Sequence, residues 1–84
     1  MMRERGTIAT ALHLTGHFDT EAFRSFAEGR ARLLSLDMRT ERLEATDIVF
    51  VVKGAQPLVG IFVMACLVGP VGCLVNDWTE GYRR

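Results

Sequence analysis

The feature that most constrains this sequence is an uncharged stretch from Gly54 to Asn76. Within it, Leu58 to Val75 is apolar and long enough to meet the length criterion for a membrane-spanning helix. The tetrapeptide Gly69-Pro70-Val71-Gly72 interrupts this run, and such a cluster is a stop-and-turn signal. The pattern therefore favours a helix over residues 57–68 followed by a strand over residues 71–78, with a transmembrane helix as the disfavoured alternative.

The rest of the chain alternates between strand-like and helix-like periodicity. Gly16 is expected to end the first strand, and Asp19 or Thr20 to cap the first helix. Together the patterns predict strand, helix, strand, strand, helix and strand, over about residues 7–15, 20–34, 36–45, 48–52, 57–68 and 71–78. This order is typical of an α+β, ferredoxin-like βαββαβ sandwich with a four-stranded antiparallel sheet and both helices on one face.

Length and charge narrow the function classes. With 84 residues, the chain is expected to form a single domain over residues 1–84. Ten basic residues are balanced by ten acidic ones, so no electrostatic signature of a nucleic-acid partner is present. The start of the sequence lacks the apolar core of a secretory signal, which predicts a cytoplasmic protein with Cys66 and Cys73 reduced. His13 and His17 have no ligand spacing around them, so neither a metal nor another cofactor is expected.

Two groups of residues resemble the acylphosphatase family. Gly16 is followed, after the spacing the family uses, by the aromatic-arginine pair Phe23-Arg24. Further positions match the family's pattern without a gap: Ala31, Leu34-Ser35-Leu36, Gly54, Val59, Phe62, Cys66, Gly69-Pro70 and Val75. The resemblance covers residues 16–75. Its first half marks the chemistry and its second half the fold.

The resemblance implies hydrolysis of a carboxyl-phosphate anhydride. In the family, backbone amides at a helix N-terminus and one arginine hold the phosphoryl oxygens, and an asparagine orients the attacking water. Such groups place donors and positive potential where negative charge spreads in the transition state. The resemblance therefore implies phosphate or an acyl phosphate as the small-molecule partner, with an anion-binding segment formed by Gly16, His17, Phe18, Asp19, Thr20, Glu21 and Arg24.

The candidate catalytic residues are Arg24 and Arg42, and both raise questions. Arg24 occupies the arginine position of the family, with the less favoured alternative that it is a surface helix residue paired with Glu21 or Glu28. Arg42 stands where the family has its asparagine, and a guanidinium has no acceptor with which to orient water. Catalysis is then impaired, while the two arginines could still form an anion clamp.

The segment before Arg24 departs from the family as well. Asp19 and Glu21 place two negative charges near the expected phosphate position, which opposes a dianionic ligand. At the other end of the chain, residues 78–84 are expected to be a shortened remnant of an edge strand, since the family continues there through a loop to such a strand.

The second helix is apolar on both faces. Val59, Phe62 and Cys66 are assigned to the core, and the opposite face needs a second partner for burial. A homodimer is expected through the outer residues Gly60, Ile61, Met64, Leu67 and Val68. The open face of the sheet, with Ala9, Ala11, Val49 and Val51, is a weaker candidate.

Two functional hypotheses follow. The first is an acylphosphatase-like domain whose hydrolase activity is weak or lost and which acts as an anion-binding or protein-interaction module. The alternative is an active acylphosphatase that uses Arg24 to hydrolyse acyl phosphates to carboxylate and phosphate.

Overall fold

The computed structural model describes the backbone of residues 7–83 and the side chains of residues 7–81, so the parts of our predictions that fall on residues 1–6 and 84 lie outside it. It contains six elements: β1 Thr7–His17, α1 Thr20–Leu33, β2 Asp37–Glu44, β3 Asp47–Ala55, α2 Gln56–Val68 and β4 Leu74–Arg83. This is the predicted order, and the ferredoxin-like fold is confirmed. The extent of the domain over residues 1–84 stays a prediction.

The sheet has the strand order β2-β3-β1-β4, and every neighbouring pair is antiparallel. Alternate residues of the two central strands, Leu12, Leu14, Ile48, Phe50 and Val52, are fully buried. Because strand side chains alternate between the two faces, these residues define the face that the helices cover. The opposite face of the sheet is open.

Several boundaries differ from those predicted, and β3, for example, continues to Ala55 beyond the predicted end at residue 52. Gly16 does not end β1, because Gly16 and His17 pair with Val75 and Leu74 of β4. β4 begins at Leu74 and continues without a break to Arg83, so residues 78–83 are the second half of this strand and not the remnant of a separate one. The expectation of a remnant edge strand was wrong.

The core is built around a row of phenylalanines between the sheet and the helices. Phe23 of α1 contacts Phe18 edge to face at 5.3 Å between ring centroids and Phe50 at 6.1 Å, and Phe50 contacts Phe62 of α2 at 6.3 Å. Such contacts add to the stabilisation that burial of the rings already provides. They hold both helices in place over the two central strands.

Local signals set the ends of the helices. The Asp19 side chain caps α1 by accepting a hydrogen bond from the Ala22 N–H at 3.1 Å. At its other end, α1 terminates just before Ser35, which adopts a left-handed φ of 56°. α2 starts with Pro57 in its first turn and ends at Gly69, whose φ is 71°. No helix among residues 7–83 combines the length and apolar character needed to cross a membrane.

Candidate active site

The predicted anion-binding segment begins inside the sheet. Gly16 N–H donates a hydrogen bond to Thr46 O at 3.2 Å, and Phe18 N–H donates one to Ala45 O at 2.7 Å. These two amides are therefore bound to the turn between β2 and β3. Phe18 is buried, and its ring packs on Phe23. Of the first three residues of this segment, 16–18, only His17 is exposed.

The N-terminus of α1 carries a carboxylate of its own. Asp19 accepts the N–H of Ala22 with its side chain and the N–H of Phe23 with its carbonyl oxygen, the latter at 2.9 Å. A negative charge is favourable at this end of a helix, because the exposed amides and the helix dipole provide positive potential. Asp19 thus occupies a position where an external anion would otherwise be attracted.

Arg24 is held by Glu21, one helical turn earlier. Its Nη2 donates to Glu21 Oε1 at 2.9 Å and to Glu21 Oε2 at 2.8 Å. The hydrogen bond and the charge of Glu21, followed by the charge of Glu28, raise the pKa of Arg24 above its ordinary value. The surface pairing considered for Arg24 is therefore the one observed.

Arg24 also lines an open groove of about 620 Å³ between α1 and β2. The charged residues along this groove are Arg24, Arg32, Glu28 and Asp37, two of each sign. The lining therefore carries no formal net charge, which gives an incoming phosphate dianion little long-range attraction.

Arg42 lies on the other side of the sheet. A bulge at Glu41 shifts the pairing of β2, so that Thr40 pairs with Phe50 and Arg42 with Val49. Val49 alternates with the buried Ile48 and Phe50, and Arg42 therefore shares its open face. The structure does not bring Arg42 to Arg24, and no two-arginine clamp forms.

On the open face Arg42 joins a small polar cluster. Its Nη1 lies 3.4 Å from Asp47 Oδ2, and Asp47 Oδ1 is in hydrogen-bond contact with His13 Nε2. The bond to His13 is the main cause of the lowered pKa of Asp47, with the charges of His13 and Arg42 adding to it. No group of three or more His, Cys, Asp and Glu side chains among residues 7–83 could hold a metal ion.

Thr40 is the polar β2 residue that the sequence reasoning missed. It lines the groove together with Arg24, and its hydroxyl can both donate and accept hydrogen bonds. A signal was present in the sequence. Met38 and Leu43 are the two apolar residues of β2 and are an odd number of positions apart, so a regular strand could not turn both of them toward the core, where the structure places them. A bulge between them is required to turn both side chains inward.

The outer face of α2 is close to the one predicted. Gly60, Ile61, Met64 and Val68 are exposed, whereas Leu67 is half-buried and packs against the core. Val63, which was not assigned to the inner face, is buried beside Val59, Phe62 and Cys66. The inner face is therefore wider than expected and takes Leu67 at its margin.

Comparisons with known proteins agree on the fold. No protein-family model matches the sequence, and no curated protein gives a significant sequence match. An acylphosphatase from Coxiella burnetii superimposes with a TM-score of 0.85 at 18% identity, covering 95% of this chain and 84% of the other. An acylphosphatase from Bacillus subtilis superimposes with a TM-score of 0.82 at 18% identity, covering 92% and 86%. These comparisons confirm the expected resemblance at the level of the fold: this chain has the same fold as these two acylphosphatases.

Proposed function

We propose that this acylphosphatase-like domain has weak or lost phosphate-anhydride hydrolase activity and acts as an anion-binding or protein-interaction module. The observation that carries the proposal is the state of Arg24, whose guanidinium is held by both carboxylate oxygens of Glu21. A phosphoryl group would have to displace Glu21 and approach the capping carboxylate of Asp19. Both carboxylates repel a dianion, so any phosphate bound here is held weakly.

The lack of an acceptor that could orient the attacking water at the expected position, Arg42, supports the same proposal. Arg42 provides no acceptor, and the bulge at Glu41 places it on the open face of the sheet. Hydrolysis needs a water held in line with the phosphoryl group, because positioning and electrostatics supply most of the catalysis in phosphoryl transfer. The residue at the position of the family's water-orienting asparagine is therefore on the opposite face of the sheet from the groove that Arg24 lines.

One observation favours the alternative of an active acylphosphatase. Thr40 lines the same groove as Arg24 and has an acceptor oxygen. Arg24 and Thr40 would then form a rearranged site for acyl phosphates. In either case the proposed small-molecule partner is phosphate or an acyl phosphate, and we propose a cytoplasmic location, in keeping with the free thiols of Cys66 and Cys73.

A hydrolysis assay separates the two. Purified protein is incubated with acetyl phosphate at neutral pH, with Arg24→Ala and Thr40→Val as comparison variants. We expect little turnover and no difference between the three proteins. A wild-type rate of about 10 per second or more, lost in either variant, would establish the active alternative and overturn the proposal.

Phosphate binding tests the role of the carboxylates. In NMR titrations with inorganic phosphate, wild-type protein is expected to show small amide shifts in residues 16–24 at tens of millimolar phosphate, and Arg24→Ala none. Asp19→Asn keeps the helix cap, and Glu21→Gln frees Arg24. Each is expected to tighten binding by about five-fold, which corresponds to removing about 1 kcal/mol of repulsion, the energy between a unit charge and a dianion about 8 Å apart in water.

Glu80→Gln on β4 is the matched control, since it removes the same charge from a strand that does not line the groove. It should leave the affinity unchanged. If neither carboxylate variant responded to phosphate, Arg24 would not be part of an anion site at all.

A further inference from the structure

The outer surface of α2 carries a row of exposed apolar side chains at helical spacing. Ile61, Met64 and Val68 are 53%, 68% and 82% exposed, and their spacing of three and then four residues is that of a helix–helix contact. We call these three residues the apolar seam. Val71, fully exposed in the turn after α2, lies just beyond its end.

We propose that the apolar seam is the contact through which two copies of this chain form a homodimer. The proposal goes beyond the loss of hydrolysis argued above and does not depend on it. Leu67, which the sequence also assigned to this contact, is half-buried against the chain's own core and is therefore not counted in the seam.

The exposed area fits a dimer. The exposed fractions of the seam and Val71 correspond to roughly 500–550 Å² of residue surface per chain, and burying all of it on both chains reaches the lower limit of about 1,000 Å² for a specific interface. The exposed surface of the seam and Val71 on one chain is also at the upper end of the range of roughly 300–600 Å² found for the largest apolar patch on a monomer. A Cβ on Gly60 would meet no other atom within 4 Å, so this side of the helix is open to a close neighbour.

The chemistry of the seam favours a second copy over other occupants. No charged residue occurs between Lys53 and Asp77, so α2 offers nothing to complement a charged protein partner. Helices that lie on membranes usually carry basic residues along their polar side, and α2 has none. A second seam supplies an equally apolar and uncharged surface. In a two-fold contact of this kind, the middle residue Met64 lies near the symmetry axis.

The first experiment measures mass in solution. Light scattering of the wild-type protein at 10–100 µM is expected to give twice the chain mass of 9.4 kDa. Met64→Glu places two carboxylates at the axis and should give a monomer. Leu33→Glu is the control, because Leu33 is also apolar and is 78% exposed, but it lies at the end of α1. This variant should remain dimeric, and circular dichroism verifies that both variants fold.

The second experiment locates the axis. In a Cys73→Ser background, Met64→Cys is expected to cross-link two chains rapidly under mild oxidation, whereas Leu33→Cys should not. Cys66 is buried and does not compete. A wild-type monomer at 100 µM, a dimer that Met64→Glu leaves intact, or equal cross-linking of the two cysteine variants would overturn the proposal. A monomer that binds neutral phosphatidylcholine vesicles would also overturn it, in favour of a lipid surface. The hydrolysis assay is unaffected by each of these outcomes, so the two proposals fail separately.

Discussion

A substitution of Gly16, at the start of the expected anion-binding segment, tests whether this position needs a glycine for packing or for ligand binding. A Cβ added at this position would overlap the carbonyl oxygen of Leu74 and lie 3.0 Å from the amide nitrogen of Asn76, both of which are backbone atoms of β4. Backbone atoms cannot move aside as a flexible side chain can. We therefore expect Gly16→Ala to push β4 away from β1 and to destabilise the fold.

The size of the effect follows from the contact. Inserting a methyl group into a well-packed site costs about 1–3 kcal/mol, and a clash with paired backbone belongs at the upper end, about 3 kcal/mol. A domain of this length loses about 4–8 °C of melting temperature for each kcal/mol, so the midpoint should fall by about 12–24 °C. Gly29→Ala is the matched control. A Cβ on Gly29 would meet no atom within 4 Å, and alanine in a helix interior is favoured by about 0.5–1 kcal/mol.

Thermal unfolding followed by circular dichroism measures both variants. Gly16→Ala should melt well below the wild type and Gly29→Ala slightly above it. If Gly16→Ala kept the wild-type melting temperature but lost phosphate-induced amide shifts, then Gly16 would serve a ligand and its packing against β4 would not be the reason for a glycine here.

Three further predictions concern single residues. Ser35→Gly should raise the free energy of unfolding by about 1 kcal/mol, because Ser35 has a left-handed φ that costs a residue with a side chain about 1–2 kcal/mol. Urea unfolding measures this, and an unchanged urea midpoint would contradict it. Asp47 has a folded pKa below its ordinary value of 3.8, so its bond to His13 stabilises the fold above about pH 4 and is lost as the pH falls through the folded value. The stability difference between wild type and Asp47→Asn should therefore shrink below about pH 4, and a difference that did not change with pH would refute this. Burial raises the pKa of Cys66 to about 12, so iodoacetamide at pH 8 should modify the half-buried Cys73 first, as mass spectrometry of digests would show, and equal rates would mean that Cys66 is accessible.

The order of elements could be predicted from the sequence because it depends on local chemistry. A capping aspartate at position 19, a proline at position 57 and a glycine at position 69 mark helix ends whatever the rest of the chain does. Alternation of apolar residues then assigns Leu12 and Leu14 to the core, and burial confirms it. The structural similarity to two solved acylphosphatases extends over the elements that these local signals predict.

The site residues were less predictable, because their positions depend on the register between strands. Counting along the chain places Arg42 at the position of the family's asparagine, but one extra residue at Glu41 sends Arg42 to the open face, and Thr40 lines the same groove as Arg24 instead. Likewise, the sequence marks Gly16 as the start of a loop, while pairing with β4 makes it part of the sheet. The sequence by itself determined which elements form. Tertiary structure decided which side chains face one another, since a shift of one residue in a strand reverses the face on which a side chain lies.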